Sequence, residues 1–378
     1  MGSAIVHDLV YTAGSDLELG IGDVNLGRAT ELARIDPQRS GQPYKVNGTD
    51  IDELSSILER YDAVVNAAWY ENNLHVMRAC LKAGCHYDDL GGLFHITRKQ
   101  LLLDEDAKSR GISAIVGGGE SPGITNVMCA LAAEEMIKVD SVKIYAGAKE
   151  TGQNQDLIFP FSISTVIDEY SKRPVEYLNG EYTEVAALSG DEVVTFPEPV
   201  GKNVCHYSIH SEPATLPATI GKGVRNVEFR LGISEKMVKR LTPLLETGML
   251  SAEPTVPVNG RSISPRDFVI SFFNSKAQDS KELERWVALK VVVTGILENG
   301  KKSQVSCDLL AAPGSYGFRN ATAYLTGVAG SIFGQYLAKD RIAKGVLAPE
   351  QAVNVTEFVA DLETRGIKIT KRVGNDDL

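Results

Sequence analysis

Met1-Gly2-Ser3-Ala4-Ile5-Val6-His7-Asp8-Leu9-Val10, followed at a short distance by Leu17-Glu18-Leu19-Gly20-Ile21-Gly22-Asp23, is the stretch on which the fold turns. The first segment has the pattern of an amphipathic helix already under way, because Ile5 and Leu9, and Val6 and Val10, pair at i, i+4. The second has the pattern of a short strand tipped by an acid. A helix and then a strand ending in Asp are the second and third steps of a dinucleotide-binding βαβ unit. The first step of such a unit is a buried strand running into G-x-G-x-x-G. Gly2 stands where the third glycine belongs, at the closest approach of helix and sheet. The pattern therefore predicts the opening strand and the first two glycines upstream of Met1.

Downstream, strand and helix alternate with short connections. Residues 29–35 and 50–61 have helical periodicity, the second with Asp50 as N-cap and Glu53 at the capping-box position. Residues 43–46 and the run Ala63-Val64-Val65-Asn66-Ala67-Ala68 are strand-like. Residues 73–83 form a helix stopped by Gly84, 86–90 a strand, and 97–110 a helix stopped by Gly111. Residues 112–116 make a further strand ending in Gly117-Gly118-Gly119, and Ser121-Pro122-Gly123 opens a helix to about residue 136. This alternation predicts an α/β fold, a Rossmann-type doubly wound parallel sheet with its first strand absent from the chain as written.

After Asp140 the character changes. Residues 142–148 are a strand, and three Asn-Gly pairs, Asn179-Gly180, Asn259-Gly260 and Asn299-Gly300, signal hairpins. The last joins strands at 287–297 and 304–310. Ser264, Pro265 and Asp267 open a helix. These features predict an inserted α+β domain with a mostly antiparallel sheet. From Ala321 the chain is helical and rich in small residues, and is expected to return to the first domain. The expected boundaries are 1–125 for the dinucleotide-binding domain, 126–318 for the substrate-binding and oligomerisation domain, and 319–378 for the helical return.

A net charge of −10 argues against nucleic acid or an anionic membrane as partner. The five cysteines, Cys80, Cys85, Cys129, Cys205 and Cys307, have no CxxC and no metal-ligand spacing, which fits reduced thiols in a cytoplasm. Residues 324–338, with Gly330-x-x-x-Gly334 inside, fall short of the roughly 20 residues a membrane span needs, so a buried, tightly packed helix is expected. His206-x-x-x-His210 lies in an extended context without an intervening acid, and no metal site is expected there.

Candidate site residues follow from the ends of the strands, where open α/β sheets bind ligands. Asp23 offers a carboxylate to the ribose hydroxyls of adenosine and repels a 2′-phosphate, favouring NAD; Arg28 lies close enough to keep NADP open. Asn66 in an apolar run needs a partner, either the cofactor or loop backbone. Asp88 and Asp89 point to opposite faces, so at most one faces the cleft. The 117–123 loop sets bare amides at a helix N-terminus, suited to a carboxamide or an anionic group.

The motifs Val64-Val65-Asn66-Ala67, then His86-Tyr87-Asp88-Asp89-Leu90-Gly91-Gly92, then Gly118-x-x-x-Pro122-Gly123-x-x-Asn126 resemble the saccharopine dehydrogenase-like family, and within it most the L-lysine 6-dehydrogenase branch. The resemblance extends through His210-Ser211-Glu212, the 259–267 segment and Arg319-Asn320-Ala321-Thr322-Ala323-Tyr324. It implies NAD or NADP, a homodimer or higher homo-oligomer, and oxidation or formation of a C–N bond of an amino acid, by lysine 6-deamination or saccharopine-type condensation. Such a site needs a base for the ammonium proton, for which Asp89, His95 and Glu120 are candidates with Tyr70 as a hydrogen-bonding partner. Gly2, Asp23, Asn66, Ala67, Leu90, Gly91, Pro122, Gly123 and Asn126 are the candidate cofactor contacts, and His210, Glu212, Arg319 and Thr322 the candidate substrate contacts. The alternatives are a binding or regulatory paralogue impaired by loss of its phosphate loop, and a carboxynorspermidine-type polyamine reductase.

Overall fold

The computed structural model describes residues 1–14, 17–35, 41–151, 159–276, 284–314 and 317–374. The chain opens with α1 (Gly2–Thr12), β1 (Gly20–Asp23), α2 (Leu26–Leu32), β2 (Gln42–Lys45), α3 (Ile51–Leu58) and β3 (Ala63–Asn66). A 3₁₀ turn (Tyr70–Asn72) leads to α4 (Asn73–Ala83), β4 (His86–Asp89), α5 (Leu93–Leu101), α6 (Asp104–Ser109), β5 (Ser113–Val116) and α7 (Ile124–Ala133). Asp50 caps α3 as its sequence predicts, accepting from the Glu53 amide at 3.0 Å. The helix expected over 97–110 is two helices, α5 beginning before it and α6 ending it. α7 stops earlier than expected, because Met136 already belongs to the next strand.

The second part comprises β6 (Met136–Thr151), α8 (Ile163–Ser171), β7 (Val175–Leu178), β8 (Glu181–Glu184), β9 (Glu192–Thr195), β10 (Lys202–Tyr207), α9 (Glu212–Thr219) and β11 (Asn226–Gly232). It continues with α10 (Glu235–Glu246), β12 (Val256–Val258), β13 (Arg261–Ile263), α11 (Pro265–Lys276), β14 (Glu284–Leu297) and β15 (Lys302–Ala311). The chain closes with α12 (Ala321–Ala338), β16 (Gly345–Leu347), α13 (Pro349–Ala352), α14 (Val355–Thr364) and β17 (Ile369–Gly374).

The parallel strands lie in two pieces, β1 beside β2, and the order β16-β5-β4-β3. The larger sheet of the second part runs β17-β15-β14-β6-β11-β10-β9, with β7 and β8 off β11. Its pairs are antiparallel except β6 with β11. All three Asn-Gly pairs form the expected hairpins, β7–β8, β12–β13 and β14–β15. In β14, Val287, Leu289, Val291 and Val293 are buried at every second position, the period of a strand with one face on the core.

The return after residue 319 is not purely helical. β16 adds an edge to the parallel sheet beside β5, and β17 adds one to the large sheet beside β15. One apolar core accordingly runs from Ile115 through Met128, Ile144, Phe229 and Phe333 to Phe358, joining both parts. α12 is the buried, close-packed helix its composition predicts. A Cβ on Gly327 would stand 2.3 Å from the Ala4 Cβ, and one on Gly334 2.7 Å from Val65, so its glycines let α1 and β3 approach. Among the described residues, no helix is long and apolar enough to cross a membrane. A buried ion pair, Arg365 Nε to Asp8 Oδ1 at 2.9 Å, ties α1 to the end of α14.

Candidate active site

The turn between β5 and α7 is built on glycines for steric reasons. A Cβ on Gly118 would fall 2.3 Å from Asp88 Oδ1, and one on Gly123, where φ is +125°, would fall 2.0 Å from the Gly119 carbonyl oxygen. Pro122 packs into the space that a Cβ on Gly91 would take, at 2.8 Å. The loop lies against the end of β4, with the Gly118 amide donating to the Asp89 carbonyl at 2.6 Å.

Asp89 holds this arrangement and is itself fully enclosed. Its Oδ1 accepts from the Gly91 amide at 2.8 Å and the Gly117 amide at 3.1 Å. Its Oδ2 accepts from Gln100 Nε2 at 2.6 Å and the Tyr87 hydroxyl at 2.8 Å. A carboxylate with these four donors organises the two loops and has no room for a substrate proton, which revises the expectation that Asp89 acts as base. Asp88, on the other face, is equally enclosed, and neither of its oxygens has a hydrogen-bond partner. Burial first, and the charge of Asp89 second, push its carboxyl well above the usual range.

Two further buried carboxylates feel the charge of Arg285. Glu120 is 7% exposed and its Oε2 has no partner; burial pushes its carboxyl up to about 8, against the pull of Arg285. Glu169, on α8, is 4% exposed; burial raises it to about 7, with His210 and Arg285 opposing. Arg285 begins β14, pairs with Glu150 and donates from Nε to Thr322 Oγ1 at 3.3 Å.

His210 and Glu212 form a buried pair through Nδ1 and Oε2. Ser121 and Thr125 each donate to Glu212 Oε1 at 2.7 Å, which binds the pair to the glycine loop. The imidazole stacks on Phe229 at 3.8 Å and 11°. Burial pulls the His210 pKa down, but the charge and hydrogen bond of Glu212, with Glu169 behind them, raise it on balance. Glu212 is thus a residue that fixes His210, and its carboxylate is taken up by protein donors.

The remaining candidates separate into three groups. At the cofactor edge, a Cβ on Gly2 would sit 3.6 Å from the Ala67 Cβ, Ala67 and Ala68 are exposed, and Asp23 ends β1 with Oδ1 accepting from the Asn25 amide at 2.7 Å. Leu90 and Gly91 lie between that edge and the glycine loop. Others are spent inside the protein. Asn66 donates to Asn73 Oδ1 at 2.9 Å and accepts from the Ala68 amide, so its partner is the loop rather than a cofactor. Asn126 accepts from the Gly123 amide and donates to Glu350 at 2.9 Å, capping α7. The Tyr70 hydroxyl donates to Asp168 at 2.6 Å and accepts from Lys172 at 2.8 Å, a bridge between the two parts. The third group faces outward: His95 is exposed on α5 with its ring edge-on to Phe94, and Arg319 is half-exposed, pairing with Glu284 at 3.5 Å.

Glu169, Arg285, Asp168 and Arg266, which donates to Asp168 at 2.8 Å, escaped the sequence reading. The one local signal was an acidic pair, Asp168-Glu169, directly after the apolar Val166-Ile167 of α8.

Two family models cover the chain, one described as saccharopine dehydrogenase NADP binding domain over residues 1–115 and one as saccharopine dehydrogenase C-terminal domain over 119–367. The chain belongs to the saccharopine dehydrogenase family. Among members of known function it is similar to carboxynorspermidine synthase of Vibrio cholerae, 25% identical over 248 residues, which are 61% of this chain and 58% of that protein's length. It is also similar to carboxyaminopropylagmatine dehydrogenase of Synechocystis, 22% identical over 320 residues, 81% of this chain and 78% of that one. The saccharopine dehydrogenase fold is shown by apo saccharopine dehydrogenase (L-Glu forming) of Saccharomyces cerevisiae, with a TM-score of 0.75, 15% identity, and coverage of 99% and 98%. Homospermidine synthase of Legionella pneumophila, solved with NAD, shares it with a TM-score of 0.63 at 12% identity over 95% and 91%.

The residues at the cofactor edge fit a dinucleotide. Gly2 at the start of α1 leaves a Cβ only ordinary van der Waals contact with Ala67 at 3.6 Å, Ala67 and Ala68 are uncovered, and the Asp23 carboxylate ends β1, groups whose chemistry suits a ribose and a backbone-bound phosphate.

Proposed function

We propose that this chain is an NAD(P)-dependent oxidoreductase that makes or breaks a C–N bond between an amine and a small carboxylated carbonyl compound, the carboxynorspermidine-synthase type of reaction. His210 carries the reading. It is a buried imidazole held on Glu212, which Ser121 in turn ties to the glycine loop, and its pKa is raised. The names of the similar proteins, carboxynorspermidine synthase and carboxyaminopropylagmatine dehydrogenase, support the substrate class. They favour it over L-lysine or saccharopine.

Gly2, Ala67 and Asp23 would hold the dinucleotide, with Asp23 favouring NAD and the neighbouring Arg28 compatible with NADP. The bound nicotinamide supplies or takes up hydride at the carbon of the C–N bond. The protein's task is to move protons. In the condensing direction His210 gives the proton on Nε2 to the departing hydroxyl, which leaves as water. In the oxidative direction the same nitrogen takes a proton from the water that opens the C=N bond. Glu212 keeps Nδ1 protonated and the ring in place throughout.

The test is loss of NADH or NADPH absorbance with diamines paired with short carboxylated aldehydes, and its gain with carboxylated polyamines, L-lysine and saccharopine. Turnover of the polyamine set is expected, with kcat falling by about 10²–10⁴ in His210→Gln while dinucleotide binding holds. Turnover of L-lysine or saccharopine alone overturns the substrate class. Dinucleotide binding with no turnover of any pair makes the chain a binding paralogue.

A further inference from the structure

The Phe229 ring lies against the His210 imidazole at 3.8 Å and 11°, a face-to-face stack. The hydrogen bond from Nδ1 to Glu212 leaves the imidazole free to turn about that one axis, and the stack removes this freedom. A face-on aromatic also favours the imidazolium, because the negative face of the ring attracts a cation. Phe229 is held in turn at a junction of strands. β11 pairs with β6 along one edge, Phe229 opposite Ile144. Along its other edge β7 meets it at Val227 and β10 only from Arg230 onward, so neither strand pairs with Phe229 there. The Phe229 amide donates instead to Glu176 Oε2, from β7, at 2.9 Å. Glu176 and Phe229 are both fully enclosed, and an amide left unmet in such a place costs its whole desolvation penalty. Glu176 Oε1 has no partner, and burial above all pushes the carboxyl well above the usual range. An acid is thus a costly way to satisfy one amide, and the amide it satisfies belongs to the ring beneath His210.

We infer that Glu176 is a positioning residue for the proposed reaction: by holding the Phe229 amide it fixes the ring on which His210 stacks, and so the plane and the proton affinity of that imidazole. The inference rests on the proposed function for the part His210 plays in turnover, though not for the geometry. The path is a chain of direct contacts, from Glu176 to the Phe229 amide, from the Phe229 ring to His210, and from His210 to Glu212. Ser121 and Thr125 then carry it to the glycine loop. The charged groups acting on His210 are Glu212 and Glu169, and those acting on Glu176 are Glu228, Arg230 and Glu212. Glu176 and His210 are not among each other's, so the influence runs through the ring rather than through charge.

The test reads His210 directly, by NMR of the full chain carrying ring-labelled histidine. The signal is assigned by its loss in His210→Gln and by its through-space contact with a labelled phenylalanine ring. In the unaltered protein the carbon-bound protons of His210 should be shifted upfield by the Phe229 ring. Phe229→Leu and Glu176→Leu should each diminish that shift and lower the His210 titration by about half a pH unit. Glu176→Gln, which keeps a carbonyl oxygen for the amide, should titrate with the unaltered protein while the Phe229 amide signal moves. Glu181→Gln, on the exposed strand β8, is the control.

Turnover supplies the second readout. Glu176→Leu should lower kcat several-fold with the KM for the dinucleotide held, the pH limb of kcat moving with the His210 titration, and Glu176→Gln should restore both. If Glu176→Leu does not fold, Phe229→Leu decides the titration and the Phe229 amide signal in Glu176→Gln decides the bond. Four results overturn the inference: no upfield shift in the unaltered protein, an unmoved titration in a folded Phe229→Leu or Glu176→Leu, a Phe229 amide indifferent to Glu176→Gln, or a Glu176→Gln that lowers the titration as far as the leucine variant. The expected NMR shifts without turnover of any substrate pair overturn the proposed reaction alone. Turnover with His210 indifferent to Glu176→Leu overturns this inference alone.

Discussion

The Tyr70 hydroxyl lies 2.6 Å from Asp168 Oδ2, a hydrogen bond between a turn after β3 and a helix of the second part. Lys172 and Arg266 brace the same two groups, so four side chains close the seam beside the candidate site. The bond is buried, and burial, followed by Asp168, pushes the Tyr70 pKa far up, keeping the phenol a donor at every working pH. Tyr70→Phe should cost about 1–3 kcal/mol, read as a lower urea midpoint at unchanged slope. A midpoint equal to that of the unaltered protein would remove the bridge from the account.

Asp8 and Arg365 form an ion pair 1% and 6% exposed, anchoring α1 at the far end of the core. Truncating one partner leaves a buried charge alone. Asp8→Ala should lose about 3–5 kcal/mol, the range for breaking a buried pair. A loss under about 1 kcal/mol would mean that water reaches Arg365 once Asp8 is gone.

The raised carboxyls give a pH dependence with a definite sign. Glu120 has an ordinary pKa of 4.5 and is pushed to about 8 in the fold. Between those values the folded state binds the proton and the unfolded state does not, so stability falls as pH rises through the window. Glu169, at about 7, adds in the same direction. Thermal melts across that range should show the decline, and Glu120→Gln, neutral in both states, should flatten it. Parallel curves for the two proteins would show that Glu120 titrates as an ordinary exposed acid.

Gly123, a candidate cofactor contact, is also a fold requirement, since an added Cβ meets the Gly119 carbonyl oxygen at 2.0 Å and φ is +125°. Gly123→Ala should therefore lower stability by more than about 1 kcal/mol and weaken dinucleotide binding in step. Loss of binding with the melting temperature intact would make Gly123 a cofactor contact rather than a fold requirement.

Cofactor choice tests Asp23. Its carboxylate should repel a 2′-phosphate, so NADH should bind more tightly than NADPH, and Asp23→Ser should narrow the gap. Fluorescence titration of both dinucleotides decides it, and a native preference for NADPH would reverse the role given to Asp23.

The sequence by itself determined the elements that depend on neighbours along the chain. Asn179-Gly180 and Asn259-Gly260 make two-residue hairpin turns because both positions take positive φ, and Asn299-Gly300 turns the longer β14–β15 connection with positive φ at Gly300 alone. Asp50 caps α3 because its carboxylate reaches an amide three residues on. The alternation of short strands and helices predicted the parallel layer, and the motifs after β3, β4 and β5 pointed to the family. Tertiary structure alone decided which acid does what. Asp89 ends β4 and Glu120 follows β5, yet Asp89 gathers four donors and Glu120 keeps an oxygen unmet. Arg285 acts on both Glu120 and Glu169 only because α8, β14 and the loop, distant in sequence, fold near one another. β16 and β17 find edges in two different sheets, which turns an expected helical return into a clasp on both parts. Periodicity records that a residue is buried, but the cost of burying a charge depends on what surrounds it in space, and that is set by contacts distant in sequence.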